Sequence, residues 1–250
     1  MPKSIQLSSH PISAALRAAP PIPGLFFDPS VQLPAKLADQ VAEFCMGQYF
    51  DEGNGGRRVN QIMLFERAND NSSSINAGEI SPSPASSTGL PPPLLALLDT
   101  LSDLLNPKLP IQIHKLLFPS SHTQSSDSQA SLQARQAILN LYAPGEGISP
   151  HVDLLRRFGD GIIGDSSVDI ASRSDSDTYD VYLPRNSIII LTGDARYKWT
   201  HGIERRDGDW VSSSEKEGAR KMDWIPRSTR LSITFRWLLP GADVVGGNAP

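Results

Sequence analysis

One cysteine, Cys45, stands in 250 residues. A single thiol excludes an intramolecular disulfide framework and a metal site built from several thiolates, and it is consistent with a reducing compartment. No apolar run reaches the about eighteen residues expected of a membrane span. A global positive charge is also missing: 23 Lys and Arg against 27 Asp and Glu leave a formal net charge of −4, so any contact with nucleic acid must be local. Four dibasic pairs, Arg57/Arg58, Arg156/Arg157, Arg205/Arg206 and Arg220/Lys221, can supply it if they converge, and are otherwise ordinary solvated charges. No acid precedes Asp28. The basic residues Lys3 and Arg17 and the stretch Pro20-Pro21-Ile22-Pro23 suit a disordered leader over residues 1–24 better than a transit peptide. The expected location is therefore the cytoplasm or nucleus, with the mitochondrion as the lesser alternative.

What the chain does have is concentrated near its end. Arg230-Leu231-Ser232-Ile233-Thr234-Phe235-Arg236-Trp237 alternates strictly, which predicts a strand with Arg230, Ser232, Thr234 and Arg236 on one face and an apolar set on the other. Six residues at about 3.3 Å each put the two arginine stems roughly 20 Å apart. Two inward-reaching arginines with a small diacid between them can fill that span. A guanidinium suits the task because its planar fork pairs with carboxylates and keeps its charge.

Upstream lie His151-Val152-Asp153 and, fifty residues later, His201. At a strand end, residues i and i+2 point the same way, so His151 and Asp153 share a side. Two imidazoles and one carboxylate with open positions form the facial triad of non-haem Fe(II) oxygenases. Read singly, each residue has a bland explanation: a loop histidine, a surface arginine, a chance His-x-Asp. The ordered set is far more specific than any of its members.

Asn140-x-Tyr142, His151-x-Asp153, the segment Gly193-Asp194-Ala195-Arg196-Tyr197-x-Trp199-Thr200-His201-Gly202-Ile203 and Arg230-x-Ser232-x-Thr234-x-Arg236 together resemble the AlkB-like branch of the 2-oxoglutarate and Fe(II)-dependent dioxygenases. The likeness runs from about Ile138 to Leu238, and Arg196 to Ile203 is closer to eukaryotic members than to the bacterial repair enzyme. The resemblance implies Fe(II) held by His151, Asp153 and His201, with 2-oxoglutarate held by Asn140, Tyr142, Arg230 and Arg236. Ser232, which stands where the bacterial enzyme has Asn, joins the co-substrate set. With O₂ the implied reaction is oxidative demethylation or hydroxylation of a methylated nucleobase in RNA or DNA. A protein substrate, or a catalytically impaired module that binds a partner, is the alternative. Gly55 to Phe65 resembles the lid over the substrate in such enzymes, which makes Arg57, Asn60 and Gln61 candidate substrate contacts.

The expected fold is mainly β with flanking helices, a double-stranded β-helix or jelly roll, as one domain over residues 25–240 of a monomer. Leu37, Val41 and Phe44 have helical spacing, as do Leu94, Leu97, Leu98, Leu101 and Leu105, so helices are predicted near residues 34–47 and 93–105. Ile111-Gln112-Ile113-His114 reads as a short strand with His114 structural. Polar insertions at 68–89, 119–133 and 212–220 lack the apolar residues needed to order themselves, and 241–250 is a tail. Gly164 to Asp177 is short and polar where the family carries apolar sheet. Around ten residues are expected to be missing there, exposing an edge and removing a pocket wall.

Overall fold

The computed structural model describes residues 14–50, 59–66, 89–119, 134–166, 170–173, 178–212 and 222–239. The strands in chain order are β1 (Leu25–Gln32), β2 (Gln61–Phe65), β3 (Arg135–Tyr142), β4 (Ile148–His151), β5 (Phe158–Ser166), β6 (Ile170–Arg173), β7 (Thr178–Val181), β8 (Ser187–Leu191), β9 (His201–Ile203), β10 (Gly208–Ser212), β11 (Met222–Pro226) and β12 (Arg230–Leu238). The helices are α1 (Ala35–Cys45), α2 (Pro92–Leu105), α3 (Ile111–Leu117) and α4 (Gly193–Tyr197), with a π-helical turn at Met46–Phe50. None of the helices among the described residues is long and apolar enough to cross a membrane.

Six strands form the major sheet in the order β1-β8-β5-β12-β3-β2, each antiparallel to its neighbours. Three antiparallel pairs, β4-β9, β6-β7 and β10-β11, supply the second layer, and β6 lies beside β9. This is the two-layered jelly roll that the resemblance implies.

Alternation decides which layer each side chain enters. Leu231, Ile233 and Phe235 of β12, with Ala137 and Leu139 of β3 and Ile163 of β5, form one apolar cluster with Leu94, Leu97, Leu98, Leu101 and Leu105 of α2 and Val41 of α1. Full burial of a leucine contributes about 1.5–3 kcal/mol, so the leucine stripe is the main fastening of α2. Prolines at the first two positions of α2 cost nothing there, because those amides have no intrahelical acceptor. Strand β8 is buried along its whole length. Its Ile188 and Ile190 join the helix-side core, while Ile189 and Leu191 face a second cluster with Phe27, Ile162, Val181 and Ile22. A strand covered on both faces has no reason to alternate, hence the run Ile188-Ile189-Ile190-Leu191.

Three expectations change. Ile111 to His114 is helical, the start of α3, and His114 Nε2 lies 3.0 Å from the carbonyl oxygen of Ser102. Four residues are too few to separate a period of 2 from one of 3.6, and docking onto α2 decided the outcome. The expected leader does not extend to residue 24. Ala15 and Ile22 are buried, Ala15 bridges Val211 and Leu16 bridges Val181, and Ala15 N–H donates to the Trp210 carbonyl at 2.7 Å. Edge strands of the minor layer offer unpaired main-chain groups, and this segment takes them up.

The third change concerns the expected missing wall. Strand β5 runs to Ser166 and pairs with β12 on one side and β8 on the other, and β6 pairs with β7 from Ile170↔Val181 to Arg173↔Thr178. Ladder bonds are main-chain bonds, so a polar sequence can still form them when its neighbours supply the partners. The loop insertions at 68–89, 119–133 and 212–220, except for their outermost residues, and the tail 241–250 lie outside the described residues.

Candidate metal and co-substrate site

The short pair β4-β9 places His151 directly opposite His201. Their ring centroids stand 4.5 Å apart. Asp153, two residues beyond His151, lies between them, with Oδ1 3.9 Å from His151 Nε2 and Oδ2 3.8 Å from His201 Nε2. One ligand atom from each of the three residues falls within 4.8 Å of the others, within reach of a single ion.

The donor chemistry fits a divalent metal. His151 Nδ1 sits 2.9 Å from the Ser149 carbonyl oxygen and donates to it, which fixes the ring with Nε2 turned toward Asp153. Burial lowers the pKa of His201 to about 4, and the positive field of Arg236 and Arg196 adds to the effect against the opposing pull of Asp153. His201 is therefore neutral at physiological pH, and its approach to Asp153 is a meeting of two ligands rather than an ion pair. Asp153 is nearly inaccessible, yet a third of the His151 side chain is exposed, so the cluster opens to solvent on one side. Two imidazoles and one carboxylate with an open flank match the facial triad.

The polar face of β12 meets its expected partners through register. Arg230 lies opposite Tyr142 and Ser232 opposite Asn140, both on β3. Arg230 and Ser232 are buried. Burial raises the Tyr142 pKa, with Arg230 pulling the other way, so the phenol stays protonated and can donate.

Arg236 sits at the metal end of the strand. Its Nη1 donates to Asp153 Oδ1 at 2.5 Å, and its guanidinium lies 4.4 Å from the centre of the Phe158 ring. The two arginines of the predicted grip thus meet different neighbours, Arg230 lying opposite the tyrosine of β3 and Arg236 donating to the Asp153 carboxylate.

The lid candidates divide as well. Gln61 lies opposite Asn140, and its Nε2 donates to Asn140 Oδ1 at 2.8 Å. Asn60 has an exposed side chain and takes part through its carbonyl, which accepts from Leu141 N–H at 2.8 Å. Arg57 lies outside the described residues, as do Arg58, Arg220 and Lys221. Arg206 is tied to Asp209 and Glu204, which leaves Arg156 and Arg205 as the exposed members of the dibasic pairs that can be placed.

Sequence reasoning quoted Arg196 within a motif but gave it no task. The structure buries it at 1 % exposure and turns it onto the loop that follows Asp153. The exposed Leu154 and Leu155 on that loop were also passed over.

Residues 33–236 match the family model described as the 2OG-Fe(II) oxygenase superfamily. Among curated proteins, the chain is 37 % identical over 112 residues to the tRNA (carboxymethyluridine(34)-5-O)-methyltransferase alkbh8 of Xenopus tropicalis, a match covering 40 % of this chain and 18 % of that protein. It is 33 % identical over 137 residues to the uncharacterized protein L905 of Acanthamoeba polyphaga mimivirus, covering 51 % of this chain and 60 % of the relative. A prolyl-4-hydroxylase structure from Pseudomonas putida superposes with a TM-score of 0.43 at 14 % identity, covering 86 % of this chain and 92 % of the other. The chain spans less than a fifth of the length of the first curated relatives it matches. With the family model extending over most of the sequence, and with a two-histidine, one-carboxylate cluster set in a jelly roll, this chain belongs to the 2OG-Fe(II) oxygenase superfamily and is a dioxygenase that uses Fe(II), 2-oxoglutarate and O₂.

Proposed function

We propose that the chain oxidises a methyl group carried by a nucleobase in RNA or DNA, or hydroxylates such a base. The observation that carries this reading is the His151, Asp153 and His201 cluster, open on the His151 side and set beside the polar face of β12. Support for the substrate class comes from relatives: the Xenopus protein is named for a tRNA uridine, and an Arabidopsis thaliana relative, 29 % identical over 144 residues, is named an alkylated DNA repair protein homolog.

In this reading His151, Asp153 and His201 hold the iron, and Asn140, Tyr142, Arg230, Ser232 and Arg236 receive 2-oxoglutarate. Arg236 fixes Asp153. Together, bound iron and co-substrate supply the oxidising power: 2-oxoglutarate loses CO₂ to become succinate, taking one atom of O₂, and the other enters a substrate C–H bond. When that bond belongs to an N-methyl group, the hydroxymethyl product breaks its C–N bond to release formaldehyde, and the nitrogen regains a proton. The buried face of β12 keeps water from the co-substrate end, while a single-stranded or flipped base enters from the open side past exposed Leu154 and Leu155. The alternative of an impaired or protein-directed, partner-binding module rests on the acidic net charge and on a missing pocket wall, and the second ground is weakened because β5, β6 and β7 are formed.

The test is Fe(II)-dependent succinate formation by the full chain, beside His151→Ala and Arg230→Ala, with methylated RNA, methylated DNA and a methylated peptide added in turn. Turnover that both variants lose and one oligonucleotide stimulates is the expected result. Stimulation by the peptide alone would refute the nucleobase reading and leave the oxygenase standing.

A further inference from the structure

The buried guanidinium of Arg196 has no part in the reaction described above. It belongs to α4, five residues before His201, and its helix is anchored from several sides. Thr192 N–H donates to the Gly24 carbonyl, Ala195 N–H to the Pro23 carbonyl, and Gly193 N–H to Asp160 Oδ1, each at 2.9 Å. From this fixed base Arg196 Nη1 donates to the Asp153 carbonyl at 3.0 Å. Its Nη2 lies 3.4 Å from the Phe158 carbonyl oxygen and 3.5 Å from that of Leu154.

These contacts span both ends of the loop Asp153 to Phe158. Arg236 grips the same two residues by their side chains, taking Asp153 Oδ1 as acceptor and lying over the Phe158 ring. One arginine thus holds the loop by its main chain and the other by its side chains. The loop begins with a metal-ligand candidate and carries Leu154 and Leu155, 63 % and 53 % exposed, on its outer side. Because α4 leads directly into His201, the Arg196 bonds also tie the segment bearing one ligand to the segment bearing another.

We propose that Arg196 is a positioning residue that sets metal affinity by bracing the Asp153 loop against the His201 segment. It touches neither substrate nor metal. An outer partner of a metal ligand typically contributes about 10- to 100-fold in metal affinity, and a Lys ammonium in place of the fork cannot reach three carbonyls in that fixed plane. The inference rests on the metal reading of His151, Asp153 and His201.

The experiment is Mn(II) binding, followed by electron paramagnetic resonance on the full chain, for wild type, Arg196→Lys and Arg196→Gln, with the thermal midpoint of each metal-free protein measured beside it. The expected result is wild-type binding and a Kd raised at least about tenfold in both variants, while the metal-free midpoint falls less in Arg196→Lys than in Arg196→Gln. Folded variants that bind Mn(II) as wild type does would overturn the proposal. A wild type that binds no Mn(II) would instead overturn the metal reading. Hydrogen exchange on the wild type keeps the idea testable should the variants fail to fold. The amides of Arg157 and Phe158, which donate to the Leu154 carbonyl at 3.2 and 3.1 Å, should exchange as slowly as those of β5. Rapid exchange there would refute the brace.

Discussion

Replacing Arg227 with Met should destabilise the protein by about 3 kcal/mol without weakening metal binding. Asp209, 2 % exposed, accepts from Arg227 Nε at 2.8 Å, from Arg227 Nη2 at 2.7 Å and from Arg206 Nε at 2.7 Å. Arg227 Nη1 also donates to the Glu204 carbonyl at 2.5 Å, so one side chain ties β11 to β10 and to the chain leaving His201. Breaking a buried pair by removing one partner costs about 3–5 kcal/mol. The surviving Arg206 bond argues for the lower end. At roughly 2–4 °C per kcal/mol for a chain of this size, the thermal midpoint should drop by about 6–12 °C. The pH dependence supplies a second signature. Burial pushes the Asp209 pKa up, but the hydrogen bonds and charges of Arg227 and Arg206 outweigh it and leave the folded pKa below the ordinary value. A group with a lowered folded pKa contributes stability above its unfolded value, about 3.9 for Asp, and that contribution is lost as pH falls toward the folded pKa. Urea denaturation from neutral pH into this acid range should therefore show the gap between wild type and Arg227→Met narrowing below about pH 4. A variant within about 1 kcal/mol of wild type at pH 7, or a gap that widens in acid, would refute the reasoning.

Gln61→Glu should raise KM for 2-oxoglutarate a few-fold with kcat little changed. The carboxylate cannot donate to Asn140 Oδ1, and the loss of an ordinary exposed hydrogen bond costs about 0.5–1.5 kcal/mol; steady-state succinate kinetics read this directly. Gly24→Ala should destabilise by at least about 2 kcal/mol in a urea titration. Gly24 has φ +85°, and a Cβ there would collide with the Thr192 carbonyl at the foot of α4.

The polar–apolar alternation of β12, the all-apolar run of β8 and the leucine spacing of α2 were legible because each is a local pattern of residue types along the chain. His151 and His201 could be singled out by residue type, although only the β4-β9 register brings them face to face. Where local signal was weak, tertiary partners decided. Ile111 to His114 became helix against α2, residues 14–24 found sheet edges to clip onto, and polar β5 to β7 paired through main-chain groups that composition does not reveal.

Arginines mark the boundary most clearly. A guanidinium declares its charge and its forked geometry in the sequence, so the chain alone determined that Arg230 and Arg236 share a strand face and suit anionic partners. It could not determine their partners, because a hydrogen bond joins residues whose separation along the chain is unrelated to their distance in space. Only the folded molecule gave Arg236 to Asp153, 83 positions away, Gln61 to Asn140 across 79, and Arg196 to the carbonyls of the Asp153 loop across about forty.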